Sequence, residues 1–353
     1  MNIIKKIRDV YNMLEDDISK EIYMAKISFY IGDRDYSYWY PIVNKYAKNL
    51  VKENEDYIKK IQMMLSKDKN IVLYGAGDDA KANLIYWKDD KRLIGFCDSD
   101  KKKQQEEFCG YKVFSPEQLL TMDDINIVIS THSGYDSIRE RLLAAGVDEN
   151  RIHLMSPYMF NMDTEQYFDV DFMKFSNDEI LVDAGCFDFK TVLTFEKYCK
   201  NIRKVYSFEP DKNNYKICKQ NKERFLPKLD AEILPYGTWS SKTVLHFSSS
   251  CSAASSISDE GNDFVEVVSI DEIVGNNPVT FIKMDVEGAE LESLIGAKNV
   301  IQRCKPKLAI CIYHKEEDLF TIPQYIKELV PDYKFFIRHH SNGAGETVLY
   351  AIP

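Results

Sequence analysis

Short apolar runs recur through residues 180–290, and each stops at an acidic residue or a glycine. They are ILVDAGCFDF (Ile180–Phe189), VYSFEPD (Val205–Asp211) and FIKMDVEGAE (Phe281–Glu290). Near-continuous apolar runs predict strands buried on both faces, as in a parallel α/β sheet. The polar residues that end them then fall at the carboxyl edge, where such sheets bind ligands. Between these runs, helical spacing predicts helices over Phe189–Tyr198 and Asn213–Arg224, and Val286–Ile295 reads as a helix that Asp285 is placed to cap. Ala231–Tyr236 and Lys307–Tyr313 read as further strands. Tyr333–His339 and Glu346–Ile352 alternate like a closing hairpin around a Gly-rich turn, which puts Arg338 and His340 on one face and His339 on the other.

A second α/β pattern precedes this one. Asn70–Ala80 (NIVLYGAGDDA) reads as strand, glycine turn and helix start, Leu93–Asp100 (LIGFCDSD) as a strand ending in acid, and Ile125–Thr131 as a third buried strand. Gly146 stands where a left-handed cap would end the helix Ser137–Ala145. The expected organisation is therefore a helical N-terminal segment over residues 1–66 and a small Rossmann-like domain over 67–155. A linker over 156–178 and a larger α/β domain over 179–353 follow. Within the first segment, Ile4, Ile7, Val10, Tyr11 and Leu14 share a helix face. The aromatic cluster Tyr36, Tyr38, Trp39 and Tyr40 reads as inter-helix packing, with stacking on a sugar as the alternative, and the aromatic N-terminal helices could equally form a homodimer face.

The turns narrow the chemistry. Gly185 lets the backbone approach a ligand where a side chain would block it. Glu209 ends the next strand at the offset of a carboxylate that accepts both hydroxyls of a ribose. The first turn, Asp183 to Asp188, has one glycine and a leading acid. A dinucleotide cradle needs bare amides, and an acid there repels a diphosphate. S-adenosylmethionine has the ribose, carries an ammonium and a sulfonium, and lacks phosphate. The other glycine turn, Gly75–Ala80, matches G-x-G-x-x-A with Asp98 as the later acid, but Asp78 and Asp79 sit where a phosphate would lie.

Composition excludes more than it selects. The chain has 353 residues, 44% hydrophobic and 29% charged, with a net charge of −10. That describes a globular protein without the basic face that nucleic acid requires. No apolar run is long enough for a membrane span, and the first residues lack the apolar core of a secretory signal, so a cytoplasmic location is expected. The 8 cysteines form no C-x-x-C pair, and no two-histidine metal spacing occurs, so no metal is predicted. Ser248–Ser258 reads as a solvated loop, with an active-site loop as the alternative.

DAGCFDFKT, SFEPD, ILPYGTWSS and IKMDVEGAELESLIGA resemble the FkbM-type methyltransferases over roughly residues 175–353. The resemblance implies a class I methyltransferase domain, with a seven-stranded Rossmann-like sheet closed by the antiparallel hairpin, using S-adenosylmethionine. It implies an acceptor hydroxyl on a sugar, glycan or secondary metabolite. Matched position by position, Asp183 and Gly185 fall on the first cofactor motif, Glu209 on the ribose acid and Asp285 to Gly288 on the fourth-strand motif. Cofactor contacts are also expected at Ala184, Phe187 and Pro210 beside them, and at Gly237, Thr238 and Trp239, where the adenine commonly sits. Asp285 and His314 end adjacent strands and are the expected catalytic pair, Asp285 as proton acceptor or ligand and His314 as base. Arg338 is a further candidate for holding an acidic group. Cys186 and Phe187 depart from the small or polar residues that many relatives have in the first turn. The competing readings are a tandem Rossmann-like nucleotide or nucleotide-sugar binding protein without catalysis, and an NAD-linked oxidoreductase working through Gly75–Ala80 and Asp98.

Overall fold

The computed structural model describes residues 2–132, 134–247 and 263–353, so the serine-rich Ser248–Ser258 stretch lies outside the described residues. The chain forms two compact units. One comprises Gly32–Met162 with Ser341–Ala344; the other comprises Met1–Ile31, Asp163–His340 and Gly345–Pro353.

The smaller unit is built on a six-stranded sheet. Its strands are β1 (Asn70–Tyr74), β2 (Leu93–Cys97), β3 (Glu107–Phe108), β4 (Tyr111–Phe114), β5 (Ile125–Ile129) and β6 (Ile152–Leu154), in the order β3-β4-β2-β1-β5-β6. All pairings are parallel except β3 with β4. Alternate residues of β1 enter two cores, Ile71 and Leu73 on one face and Val72 and Tyr74 on the other. Two buried faces explain why this strand reads as a continuous apolar run. Gly146, at φ 85°, follows the helix Tyr135–Ala144 as its spacing predicts.

The larger unit carries strands β7 (Glu179–Ala184), β8 (Ile202–Phe208), β9 (Ala231–Leu234), β10 (Gly237–Thr238), β11 (Thr243–Phe247), β12 (Asp263–Val268), β13 (Phe281–Met284), β14 (Lys307–Cys311), β15 (Lys334–His339) and β16 (Thr347–Ile352). Seven of them form one sheet in the order β15-β16-β14-β13-β7-β8-β9; β10, β12 and β11 form a small separate sheet. β16 runs antiparallel between β14 and β15, which is the expected closing hairpin. The order reverses at β7, between β13 and β8, and the carboxyl ends at such a switch point are where open α/β sheets bind their ligands.

Two stretches fold differently from their sequence pattern. Residues 1–66 do not stay together: the chain passes from one unit to the other at Ile31/Gly32. The helix Asp17–Ile31 and the residues before it cover the free edge of β15. Glu15 N–H donates to Phe335 O at 3.0 Å, Ile337 N–H donates to Ser19 Oγ at 2.8 Å, and Arg338 pairs with Asp16 at 2.6 Å. An uncovered edge would template pairing with another chain. Residues 156–178 divide at Met162/Asp163, and Tyr167, Phe168 and Met173 are buried in the core of the larger unit rather than spanning a linker. Among the described residues, no helix is long and apolar enough to cross a membrane.

Candidate active site

Three strand ends meet at the switch point. β7 ends in the turn at Gly185, whose φ is 81°. Gly185 and Cys186 amides donate to Phe208 O at 3.1 and 3.0 Å, and Asp285 N–H donates to Ala184 O at 3.0 Å. A Cβ on Gly185 would lie 1.8 Å from Asp285 O, so only glycine lets these two turns touch.

Glu209 follows β8 and is 6% exposed. Phe187 N–H donates to its Oε2 at 2.8 Å and Asp211 N–H donates to its Oε1 at 2.9 Å. Burial lifts its carboxyl above the ordinary value, and the two amides oppose that rise. Each oxygen keeps a lone pair, which fits a diol donating two hydrogen bonds. Phe187 has φ 56° and a side chain 64% exposed. A bulky residue in the left-handed region is held there by its surroundings, here by the hydrogen bond to Glu209.

Asp183 departs from expectation. Its side chain is fully buried beneath the turn, 3.4 Å from Lys283 Nζ, and so supports the cradle rather than presenting a face to a ligand. Burial raises its carboxyl, and the Lys283 charge opposes the rise. Lys283 donates to Gly185 O at 2.7 Å and lies over the Tyr167 ring at 5.2 Å. Burial disfavours its charge, but Asp183 and Asp285 hold the ammonium above its ordinary value. Thr238 also turns inward: it is buried, with its hydroxyl 2.5 Å from Ser293 Oγ, while Gly237 and Trp239 are half-buried. Thr238 can therefore offer a ligand its backbone rather than its hydroxyl.

Asp285 and His314 do meet. His314 Nε2 lies 3.5 Å from Asp285 Oδ1 and 3.5 Å from Glu287 Oε2, and its Nδ1 lies 2.8 Å from Glu290 Oε1. Asp285 does not cap a helix. The helix begins only at Glu290, and residues 286–289 form a turn with Glu287 at φ 53° and Gly288 at φ 91°. That turn frees the Asp285 carboxylate, which accepts from Tyr167 Oη at 3.1 Å and has Tyr313 Oη at 3.4 Å. Tyr313 Oη also donates to Glu346 Oε1 at 3.0 Å, and Gln166 Nε2 donates to Glu346 Oε2 at 2.7 Å. Burial and the neighbouring carboxylates push both phenols above their ordinary value, so they remain donors. Burial opposes charge on His314, but the Glu290 hydrogen bond and the charges of Asp285 and Glu287 outweigh it, raising its pKa to about 9.

Sequence spacing missed Lys283, Tyr167, Tyr313, Glu290 and Glu346. Lys283 left a signal, a charge inside an apolar strand; Tyr167 left none. Arg338 is no substrate arm: its guanidinium pairs with Asp16 and sits 4.9 Å over the Phe172 ring. His339 and His340 are both buried in the hairpin.

In the smaller unit, the Gly75–Ala80 turn is filled by its own side chains. Asp98 Oδ2 accepts from Ala76 N–H at 2.9 Å, and Lys103 Nζ donates to both Ala76 O and Asp98. Asp79 holds His132 at 2.8 Å, and the helix opened by this turn runs only Asp78–Asn83. That arrangement is a poor phosphate cradle.

The seven-strand order with its closing antiparallel hairpin gives the larger unit the fold of a class I methyltransferase domain. Residues 176–336 match the Methyltransferase FkbM domain, and residues 67–153 match the C2185-like N-terminal family. The hexuronic acid methyltransferase AglP of Haloferax volcanii is 31% identical over 133 residues, which are 35% of this chain and 52% of that protein. The chain thus spans about half the length of that curated relative. The crystal structure of the FkbM methyltransferase from Methylobacillus flagellatus KT superposes with a TM-score of 0.51 at 18% identity, covering 87% of this chain and 99% of that one, and so shares the fold.

Proposed function

We propose that this protein is an S-adenosylmethionine-dependent O-methyltransferase acting on a hydroxyl of a sugar or glycan. The observation that carries the reading is the juxtaposition of Glu209, the Gly185 turn and the Asp285–His314 pair at one switch point. In this reading, Glu209 takes the ribose hydroxyls and Pro210 and Phe187 flank it. Ala184 and Gly185 line the turn, Gly237, Thr238 and Trp239 face the base, and Asp183 holds the cradle through Lys283.

The cofactor, when bound, supplies an electrophilic methyl with a good leaving group, so positioning provides most of the acceleration. The chain must then orient the acceptor and accept its proton. Asp285 is the acceptor group: it is partly exposed, Tyr167 donates to its Oδ2, and its Oδ1 lies 3.5 Å from His314 Nε2. His314, charged at neutral pH, stabilises the carboxylate and any developing alkoxide. The hexuronic acid acceptor named for the AglP relative supports a sugar substrate here. The test is methyl transfer, by mass spectrometry, onto a panel of hexuronic-acid and neutral glycans. A product heavier by one methyl in the wild type and absent in Asp285→Asn is expected. Failure across the panel, with cofactor bound, would refute the acceptor class.

A further inference from the structure

We propose that His314, Asp285 and Glu287 form a binding site for one divalent cation, with Glu290 orienting the imidazole. His314 Nε2 stands 3.5 Å from Asp285 Oδ1 and equally far from Glu287 Oε2. Both are longer than a hydrogen bond, whereas the contact to Glu290 on the other side of the same ring is 2.8 Å. At metal–ligand bonds of about 2.1 Å, donors with that separation subtend about 110°, the angle of a tetrahedral or relaxed higher coordination. A cation that replaces the Nε2 proton of His314 would therefore reach either carboxylate without moving the ring.

The unmet atoms point the same way. His314 is 10% exposed at its side chain, and its Nε2 has no hydrogen-bond partner among the described residues. Glu290 is fully buried and accepts from Val286 N–H at 3.0 Å as well as from His314 Nδ1. A carboxylate fixed on one ring nitrogen aims the other at a metal, which is the carboxylate–histidine–metal arrangement. The trio whose donor atoms lie within 4.8 Å of one another is Asp285, Glu290 and His314, and Glu287 stands outside it, 3.5 Å from His314 Nε2. Three carboxylates around one imidazole leave at least two negative charges to balance. Glu287 reaches the site from a left-handed residue, φ 53°, a conformation that needs a reason.

Carboxylates with one imidazole suit Mn²⁺, Mg²⁺ or Zn²⁺ rather than a soft cation. The remaining coordination would be taken by water or by acceptor oxygens. Binding stands on these side chains alone, whereas its place in the reaction rests on the methyltransferase reading above.

The test uses the full chain, stripped with chelator, titrated with Mn²⁺ and followed by the loss of the free-ion paramagnetic resonance signal. S-adenosylhomocysteine binding is measured in parallel. One Mn²⁺ per chain is expected, weakened about tenfold or more in His314→Ala and Glu287→Gln. It should be unchanged in Glu165→Gln, which removes an acid outside the site. Wild-type protein that binds the nucleoside but no Mn²⁺ at millimolar concentration overturns the cation site alone. So does Mn²⁺ binding that survives His314→Ala. Mn²⁺ binding without nucleoside binding supports the cation site and overturns the cofactor reading.

Discussion

Gly185→Ala probes the contact on which the whole site depends. The added Cβ would lie 1.8 Å from Asp285 O and 2.9 Å from Asp285 C, both backbone atoms that no side-chain rotation can relieve. Restoring an ordinary contact requires the two turns to part by about 1.6 Å, because packed interiors leave no slack for overlap. The backbone at φ 81° adds about 1–2 kcal/mol for any residue with a Cβ. Together these put the destabilisation at roughly 2–4 kcal/mol. The functional loss should be larger, since a displacement of about 1 Å at a reacting centre can cost about 100-fold in rate. Gly110→Ala separates the two effects: its φ is 79°, but its Cβ would meet nothing within 4 Å. Urea unfolding followed by hydrogen exchange reads each unit, and calorimetry with S-adenosylhomocysteine reads the site. Gly110→Ala should lose only the backbone contribution and bind normally, whereas Gly185→Ala should lose stability and binding together. A Gly185→Ala protein with wild-type stability and affinity would refute the argument.

Glu209→Ala should weaken S-adenosylhomocysteine by about 10- to 100-fold, the loss of charged hydrogen bonds worth about 1.5–3 kcal/mol, as read by calorimetry. Lys283→Met leaves Asp183 buried without its counter-charge and should destabilise the larger unit by about 3–5 kcal/mol in urea titrations. Asp183→Asn in the same chain should restore part of that loss. Asp285→Asn should lower the transfer rate by about 10²- to 10⁴-fold while leaving nucleoside affinity nearly intact, so single-turnover and binding measurements should diverge. For Glu179, burial alone would raise the carboxyl, but Thr280, the Ser176 amide and Lys307 outweigh it and hold it below the ordinary value. Its contribution to stability is therefore complete above the unfolded-state pKa and is lost as pH falls through the folded one. Glu179→Gln should flatten the acid limb of a stability–pH curve, and an unchanged limb would refute the assignment.

The parts of the site that were legible in the sequence are those set by strand ends. Gly185, Glu209, Asp285 and His314 each follow a buried apolar run, so topology alone brings them to one edge. The orientation of side chains past those ends was not legible, because it depends on turn conformation. The left-handed Glu287 and Gly288 delay the helix to Glu290, so Asp285 turns into the cleft while Glu290 faces His314. Asp183 looked like a ligand contact because it leads the turn, but the buried Lys283 beside it claims the carboxylate. Tyr167 sits in a stretch without periodicity, and only tertiary packing puts its hydroxyl on Asp285. The helical face around Val10 and Leu14 was readable, whereas its partner, the edge of β15, lies some three hundred residues away.

The most direct test of the central claim is calorimetric titration of S-adenosylhomocysteine into the wild type, Glu209→Ala and Asp98→Ala. Binding lost in Glu209→Ala and kept in Asp98→Ala is the predicted result, and it locates the cofactor at the switch point of the larger unit. Binding lost in Asp98→Ala and kept in Glu209→Ala would move the site to the Gly75–Ala80 turn and contradict the account.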